Sequence, residues 1–384
     1  MRILVGTSPS FGLYFPVVPV AWALRSAGHD VLVASTENMA ETVNGSGLPF
    51  VPSHGPLPMK DIMLFDRAGE PIVLPDTEDE LLAHTGRAFG RLAARTLDGV
   101  LELTESWKPD VIVGEPHSYA VAAAAAVHGI PFVEHGIGLG YLDVIDECGV
   151  REFAPELSRL GLDGLPKPDM ILDTCPPGVH SGDAASTRQP LGYVPFSTPG
   201  TVPSWVFDKR ERPRLLLTLG TVPIPNRVEL FGALLRMLSE LDVELVLAVE
   251  DEVVEQLAPL PDSVLAAGWI SLDSVLPACD LIVHHCGAGT VMAALRSGLP
   301  QVLIPHTVEQ FDSARRLDSY GAARHIPLEE LAPERVTEAV RTLLDDPSYR
   351  ERARELRDEL AGLPSPGQVV PAIEALAARR ADRT

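Results

Sequence analysis

In "DLIVHHCGAGTVMAAL", residues 280–295, a strand-like apolar run ends on His284 and His285. It turns through Gly287, Ala288 and Gly289 and enters a helix near Thr290. Glycines let backbone approach a ligand closely, and the unpaired N–H groups and positive end of a helix attract an anion. A histidine at the lip adds a donor for a phosphate oxygen. Alone, the turn reads equally well as a tight strand–helix connection with His284 in the core. Three further strand ends change the balance. "LLLTLGTV" closes on Gly220 and Thr221, "AAGW" on Trp269, and "LIPHTVEQ" runs into Glu309 and Gln310. Thr221 suits a phosphate, an indole face suits a nucleobase, and the Glu/Gln pair suits sugar hydroxyls. Each is commonly structural by itself. Four at strand carboxyl ends of one domain point to a nucleotide diphosphate. A nicotinamide cofactor fits less well, because "GTSPSFG" after the first strand is not Gly-x-Gly-x-x-Gly. Walker A and a well-placed Asp-x-Asp pair are both missing, so no metal is expected.

The elements that must position these residues alternate between strand and helix. "RILVG", "HDVLVAS", "GLPFVPS", "PDVIVGE" and "GIPFVEHG" are strand-like, with helical periodicity between them and glycines at 28 and 129 where helices stop. The pattern restarts at "RLLLTLG" and runs through "VELVLAV", "SVLAAGW", "QVLIP" and "ARHIP". This is an α/β chain of two doubly wound Rossmann-like domains facing a cleft, with ligands at strand carboxyl ends. The expected divisions are an acceptor-binding domain at 1–200, a linker at 201–212 and a donor-binding domain at 213–365. Residues 366–384 are expected to form a helix returning to the first domain. The aperiodic stretch 55–80, with Met59, Ile62, Met63, Leu64 and Phe65, reads as a loop covering a hydrophobic acceptor.

Composition narrows the function. The chain has 384 residues, 46% hydrophobic and 22% charged, with net charge −22. That is a globular balance, and an acidic surface without a basic cluster argues against nucleic acid. Apolar runs are too short for a membrane span, and "MRILVGTS" enters a strand without a secretory signal pattern. The four cysteines are scattered, with no CxxC pair, so neither a disulfide framework nor a zinc site is indicated. A cytoplasmic protein binding small molecules is expected, and a homodimer is left open.

The run "GW…LPACDLIVHHCGAGTVMAALRSGLPQVLIPHTVEQFDSARRL" closely resembles the nucleotide-sugar motif of the inverting, metal-independent glycosyltransferases called GT-B. It is most similar to the actinomycete enzymes that attach deoxysugars to antibiotics. "PVVPVAWALRSAGHDVLVAS", "VPSWVFDKRERPRLLLTLGT" and "DTCPPG" extend the likeness over most of the chain. The resemblance implies that Trp269 stacks on the base, and that His285 with the Gly287–Thr290 backbone holds the diphosphate. It assigns the sugar to Glu309 and Gln310, where the family usually has Asp-Gln. Plant relatives bind ribose through a glutamate where this chain has Ala293 or Ala294, which favours a 2′-deoxyribose donor, a dTDP-sugar. No cofactor is implied.

In most such enzymes the catalytic base is a histidine in a Gly-His-x-x-x-Pro turn after the first strand. Here the text is Gly12-Leu13-Tyr14-Phe15-Pro16, and Leu13 accepts no proton. Another base is one reading: Glu115 and His135 end strands of the acceptor domain, and Glu134 is a third choice. A phenolic acceptor attacking through its ortho carbon is a second reading, and it resembles the C-glycosyltransferases of aromatic polyketide pathways. Some of those carry an aspartate after "GIP", where this chain has His135-Gly136-Ile137-Gly138. Leu13, Tyr14, Met63 and Phe65 are expected to line the acceptor pocket. The overall expectation is transfer of a deoxyhexose from a dTDP-sugar to an aromatic polyketide, with a C–C bond ahead of a C–O bond. An O-glycosyltransferase acting on a macrolide or other natural product, a degenerate partner protein and a nucleotide-sugar epimerase are the alternatives.

Overall fold

Runs such as Arg2–Gly6 and Leu281–His284 are apolar at nearly every position, as a strand covered by helices on both faces requires. In this computed structural model, which describes residues 1–75, 77–140, 142–181, 187–198, 200–220, 226–307 and 309–381, such runs build two sheets. The first contains β1 (Arg2–Gly6), β2 (Asp30–Thr36), β3 (Phe50–His54), β4 (Val111–Gly114), β5 (Phe132–His135), β6 (Met170–Asp173) and β7 (Arg188–Pro190). The second contains β8 (Arg214–Thr218), β9 (Glu244–Ala248), β10 (Val264–Gly268), β11 (Leu281–His284), β12 (Gln301–Leu303) and β13 (Ala323–His325). All described pairings within the two sheets are parallel.

Strand order is β3-β2-β1-β4-β5-β6-β7 in one sheet and β10-β9-β8-β11-β12-β13 in the other. Each order reverses once, between β1 and β4 and between β8 and β11. Loops leaving those strands diverge to opposite faces and open a crevice at the carboxyl ends. Register then decides which loops are neighbours. Gly6 lies beside Gly114, so the turns after β1 and β4 emerge together. His284 lies beside Thr218 and Leu303, which brings the turns after β8, β11 and β12 together.

Two compact units follow from the contacts. One holds Met1–Cys175, His180–Phe196 and the segment from Leu363 onward; the other holds Pro176–Val179 and Ser197–Gly362. Residues 201–212, the expected linker, pack on the second unit. The turn Ser204–Phe207 places Trp205 and Val206 against its core, and the Arg214 guanidinium lies 4.7 Å above the Trp205 ring. In the first unit, helix Pro366–Ala381 contributes Val369, Val370, Ile373 and Leu376 to the core, one face at helical spacing. Each such side chain contributes about 1.5–3 kcal/mol of hydrophobic stabilisation.

Residues 55–80 are more ordered than a covering loop. A helix forms at Met59–Leu64, and the buried Arg91 side chain donates to the Ile62 carbonyl at 2.9 Å. Arg67 grips Glu152 and Glu156 at 2.7 and 2.8 Å. A helix of 30 residues, Glu78–Trp107, follows. It lies so close to helix Asp143–Arg159 that a Cβ on Gly90 would come within 2.5 Å of the Gly149 carbonyl. Among the described residues, no helix is long and apolar enough to cross a membrane. The four cysteines are free.

Candidate functional site

The second unit gathers polar groups at the ends of β8, β11 and β12. His284 and His285 are adjacent, yet their environments differ. His284 is fully buried, its Nδ1 accepting from the Cys286 N–H at 3.1 Å and its Nε2–H donating to Gln301 Oε1 at 2.8 Å. Burial pushes its pKa down to about 4, so it is a neutral structural ring. This is the core role allowed for it from sequence.

His285 is 6% exposed, and its Nδ1 is buried with no hydrogen-bond partner. Burial drives its pKa well below the usual value, and His284, His306 and Arg227 add to the effect. The flanking glycines make room for this ring rather than for a ligand. A Cβ on Gly220 would lie 2.4 Å from His285 Cε1, and one on Gly287 2.3 Å from Nε2. The helix begins at Ala288, earlier than the sequence indicated, with Gly287 as its N-cap. Ala288, Gly289 and Thr290 therefore occupy its first turn, where N–H groups have no helical partner.

Around this turn stand the other expected residues. Gly220 adopts φ +67, and its carbonyl accepts from Arg227, which pairs with Glu250 at 2.6 and 2.9 Å. Burial acts to raise the Glu250 pKa, but the Arg227 bonds and a backbone N–H together hold it below its usual value. Thr221 lies outside the described residues. Trp269 follows β10 and is 49% exposed, a platform rather than a core indole. Glu309 opens helix Glu309–Tyr320, and its charge, after burial, helps raise the Cys286 thiol. The start of this helix and the turn after β11 are thus neighbours. Gln310 is partly engaged: its Oε1 accepts from the His306 and Thr307 N–H groups at 2.9 and 3.2 Å. That oxygen closes a loop and is committed before any sugar arrives.

In the first unit, Glu115 is 1% exposed and accepts four hydrogen bonds. Oε1 takes the Ser8 N–H, Ser8 Oγ and Ser118 Oγ, and Oε2 takes the His117 N–H at 2.7 Å. These bonds tie together the turns after β1 and β4, which argues against a base with lone pairs to spare. His135 is buried; its Nδ1–H donates to the Gly136 carbonyl at 2.7 Å, leaving Nε2 unpartnered. Burial lowers its pKa to about 4. Glu134 is also buried.

Of the expected acceptor wall, Leu13 is buried, Met63 half-buried and Phe65 exposed. Tyr14 does not belong to that wall. It sits in the core with its hydroxyl 2.6 Å from Ser46 Oγ, and burial raises its pKa to about 12. A narrow crevice at this end of the sheet is lined by Thr7, Ser8, Leu92, Thr96 and His117. His117 stacks on Phe89 with centroids 4.1 Å apart, and its Nδ1 is 3.8 Å from Asp146, which Tyr119 holds at 2.7 Å.

Sequence reasoning missed His117 and His306. Both stand three places past a strand end, in "GEPHS" and "LIPHT", where the rule that found His285 also applies. Both ring nitrogens of His306 are buried without a hydrogen-bond partner, and burial lowers its pKa to about 4. Among the described residues, no group of three or more His, Cys, Asp or Glu is placed to hold a metal ion.

Comparison with known proteins assigns this arrangement to a family. Residues 22–220 and 232–376 match the N- and C-terminal domains described as erythromycin biosynthesis protein CIII-like. The L-demethylnoviosyl transferase of Streptomyces niveus is 35% identical over the whole of both chains. The elloramycin glycosyltransferase ElmGT of Streptomyces olivaceus is 34% identical over 96% of each. Among solved structures, the glycosyltransferase SsfS6 of Streptomyces sp. SF2575, complexed with thymidine diphosphate, is 42% identical. It superposes with a TM-score of 0.87 over 98% of this chain and 99% of that one. The chain therefore belongs to the erythromycin biosynthesis protein CIII-like family, glycosyltransferases of the GT-B fold and of the actinomycete antibiotic deoxysugar type.

Proposed function

We propose that this glycosyltransferase moves a deoxyhexose, with inversion, from a dTDP-sugar held by the second unit to an aromatic polyketide held by the first. The observation that carries the donor half is the buried, unpartnered Nδ1 of His285 beside the first turn of helix Ala288–Ser297. An isolated polar atom of this kind costs about 1–3 kcal/mol, which a bound phosphate oxygen offsets. The thymidine diphosphate complex of the 42% identical relative supports the same nucleotide. In this reading Trp269 stacks on thymine, Gly220 and the backbone of Gly287, Ala288, Gly289 and Thr290 face the diphosphate, and Glu309 with the amide of Gln310 reaches the sugar. Thr221 stays with the phosphates.

In the displacement, an electron pair of the acceptor forms the bond to the anomeric carbon. The carbon–oxygen bond breaks, with its pair passing to the diphosphate. Helix N–H groups and imidazole stabilise the charge that develops there.

The acceptor half favours a carbon nucleophile. Leu13 supplies no base, and the Glu115 oxygens are filled by four donors. A phenolate needs little help, and the ring carbon releases its proton after the bond has formed. The unpartnered Nε2 of His135 supports a second reading, an O-glycoside with His135 as base. Incubation with a dTDP-deoxyhexose and an aromatic polyketide aglycone separates the two. A product that keeps its sugar in hot acid supports the C-glycoside; one that loses it shifts the assignment to His135.

A further inference from the structure

We propose that the turn after β9, residues 249–251, sets the spacing between the two ends of the donor site. Glu250 and Asp251 are its positioning residues. Glu250 fixes the diphosphate end through Arg227, and Asp251 fixes the base end at Trp269. The proposal rests on the nucleotide-diphosphate reading above and adds to it residues outside the glycine turn.

The diphosphate end is held through a chain of contacts. Arg227, the first residue of helix Arg227–Ser239, donates to Glu250 Oε1 at 2.9 Å and to Oε2 at 2.6 Å. It also donates to the Gly220 carbonyl. Its Nε is buried without a hydrogen-bond partner, so the described bonds that orient the guanidinium go only to Glu250 and Gly220. Gly220 places its N–H on Thr218 Oγ1 at 3.2 Å and adopts φ +67, a conformation open mainly to glycine. A Cβ there would lie 2.4 Å from His285 Cε1, so this residue forms the wall beside that imidazole. A carbonyl aimed at a diphosphate would repel it. Arg227 keeps the Gly220 carbonyl on its own guanidinium, and Glu250 keeps Arg227 in place.

The base end leans on the same turn. The Val249 N–H donates to the Gly268 carbonyl at 3.1 Å, and Asp251 Oδ1 accepts from the Trp269 N–H at 3.4 Å. Gly268 adopts φ +134, and a Cβ on it would lie 2.9 Å from that same Asp251 oxygen. The backbone under the exposed indole is therefore fixed by the turn that also reaches the phosphate end.

Stability alone gives little reason for the Arg227–Glu250 pair. Its side chains are 15% and 30% exposed, and in such partial burial desolvation offsets much of the attraction. What a two-pronged guanidinium–carboxylate contact supplies is direction. Glu250 is also an acid one side chain removed from the diphosphate turn, and by charge alone it opposes an anion. Acting by charge and acting by position therefore give opposite signs when that charge is removed.

Calorimetric titration of the full chain with dTDP and, separately, with inorganic pyrophosphate reads the two ends apart. E250Q removes the charge; E250D keeps it but falls one methylene short of Arg227. Both variants are expected to bind dTDP about tenfold more weakly, and pyrophosphate by the same factor. D251A deletes the acceptor of the long Trp269 bond. It is expected to weaken dTDP about threefold and to leave pyrophosphate unchanged.

An E250Q chain that binds dTDP as well as the wild type, or better, overturns the proposal. So does a D251A chain that loses dTDP and pyrophosphate alike. Failure of the wild-type chain to bind dTDP overturns the donor reading itself, a separate result. A crystal structure of the wild-type chain with dTDP gives the answer without any variant. Arg227 still on Glu250 and Gly220, with thymine on Trp269, supports the proposal; Arg227 moved from Glu250 to a phosphate oxygen overturns it.

Discussion

The turns after β4 and after β11 occupy equivalent places in two similarly ordered sheets, each beside the strand where the order reverses. After β4, Glu115 faces a full set of the protein's own donors from Ser8, His117 and Ser118. After β11, His285 keeps one nitrogen with nothing to bond to, next to a helix start. The fold makes a crevice in both places, but only residue chemistry decides whether the crevice is closed from within or left able to take a ligand. In the first, a carboxylate is spent on holding two loops together. In the second, two glycines cradle an imidazole with capacity to spare.

The largest effect expected from breaking this contrast is on the open side. H285A removes the unpartnered nitrogen, so kcat/KM for the donor should fall by about 100-fold or more, while the space left between Gly220 and Gly287 lowers the thermal midpoint only modestly. A midpoint that collapses with activity would instead make His285 a packing residue.

Acid titration comes next. His135 and His284 have native pKa values near 4, below the unfolded value, so the unfolded chain binds more protons between the two. Stability is therefore full above about pH 6.5 and is lost as pH falls toward 4, by about 2 kcal/mol per ring at about pH 5. Denaturant midpoints measured across that range check it, and H135Q should flatten the slope.

E115Q tests the closed side. An amide NH2 group set against donors leaves mismatched bonds, costing about 1–3 kcal/mol of stability. Activity that falls in step with stability, with an unaltered pH profile, keeps Glu115 as a brace; a lost acidic limb in the profile makes it the base. The smallest change is Y14F, which forfeits the bond to Ser46 for about 1 kcal/mol and leaves the acceptor KM unmoved. A raised acceptor KM would return Tyr14 to the pocket wall.

How much of this could be read from the sequence varied with the range of the interaction. Strand–helix alternation and the glycine turn at 287–289 are local patterns, and they carried the fold class and the place of His285. The His306 and Thr307 N–H groups that claim the Gln310 oxygen lie only four and three positions off and were passed over. Tyr14 was read outward because nothing nearby in the text shows Ser46, 32 positions away. Glu115 illustrates the same blindness: two of its four bonds come from Ser8, 107 positions away. The purpose of Gly287 was also inverted. Its lack of a side chain was legible, but the group filling the space proved to be His285. His117 and His306 followed a rule already in use and were passed over because no motif drew attention to them.

The core strip supplied by Val369, Val370, Ile373 and Leu376 has a consequence for how the molecule is born. A ribosome building the chain from its amino end delivers this strip after all of the second unit has been made. The later-synthesised unit can settle while the earlier one still waits for a missing piece of its interior, so the order of maturation reverses the order of translation. During that wait an apolar groove stays open to chaperones and to neighbouring nascent chains. A stop codon at 363 would leave the residues of the donor turn intact and yet give a protein caught permanently in that unfinished state.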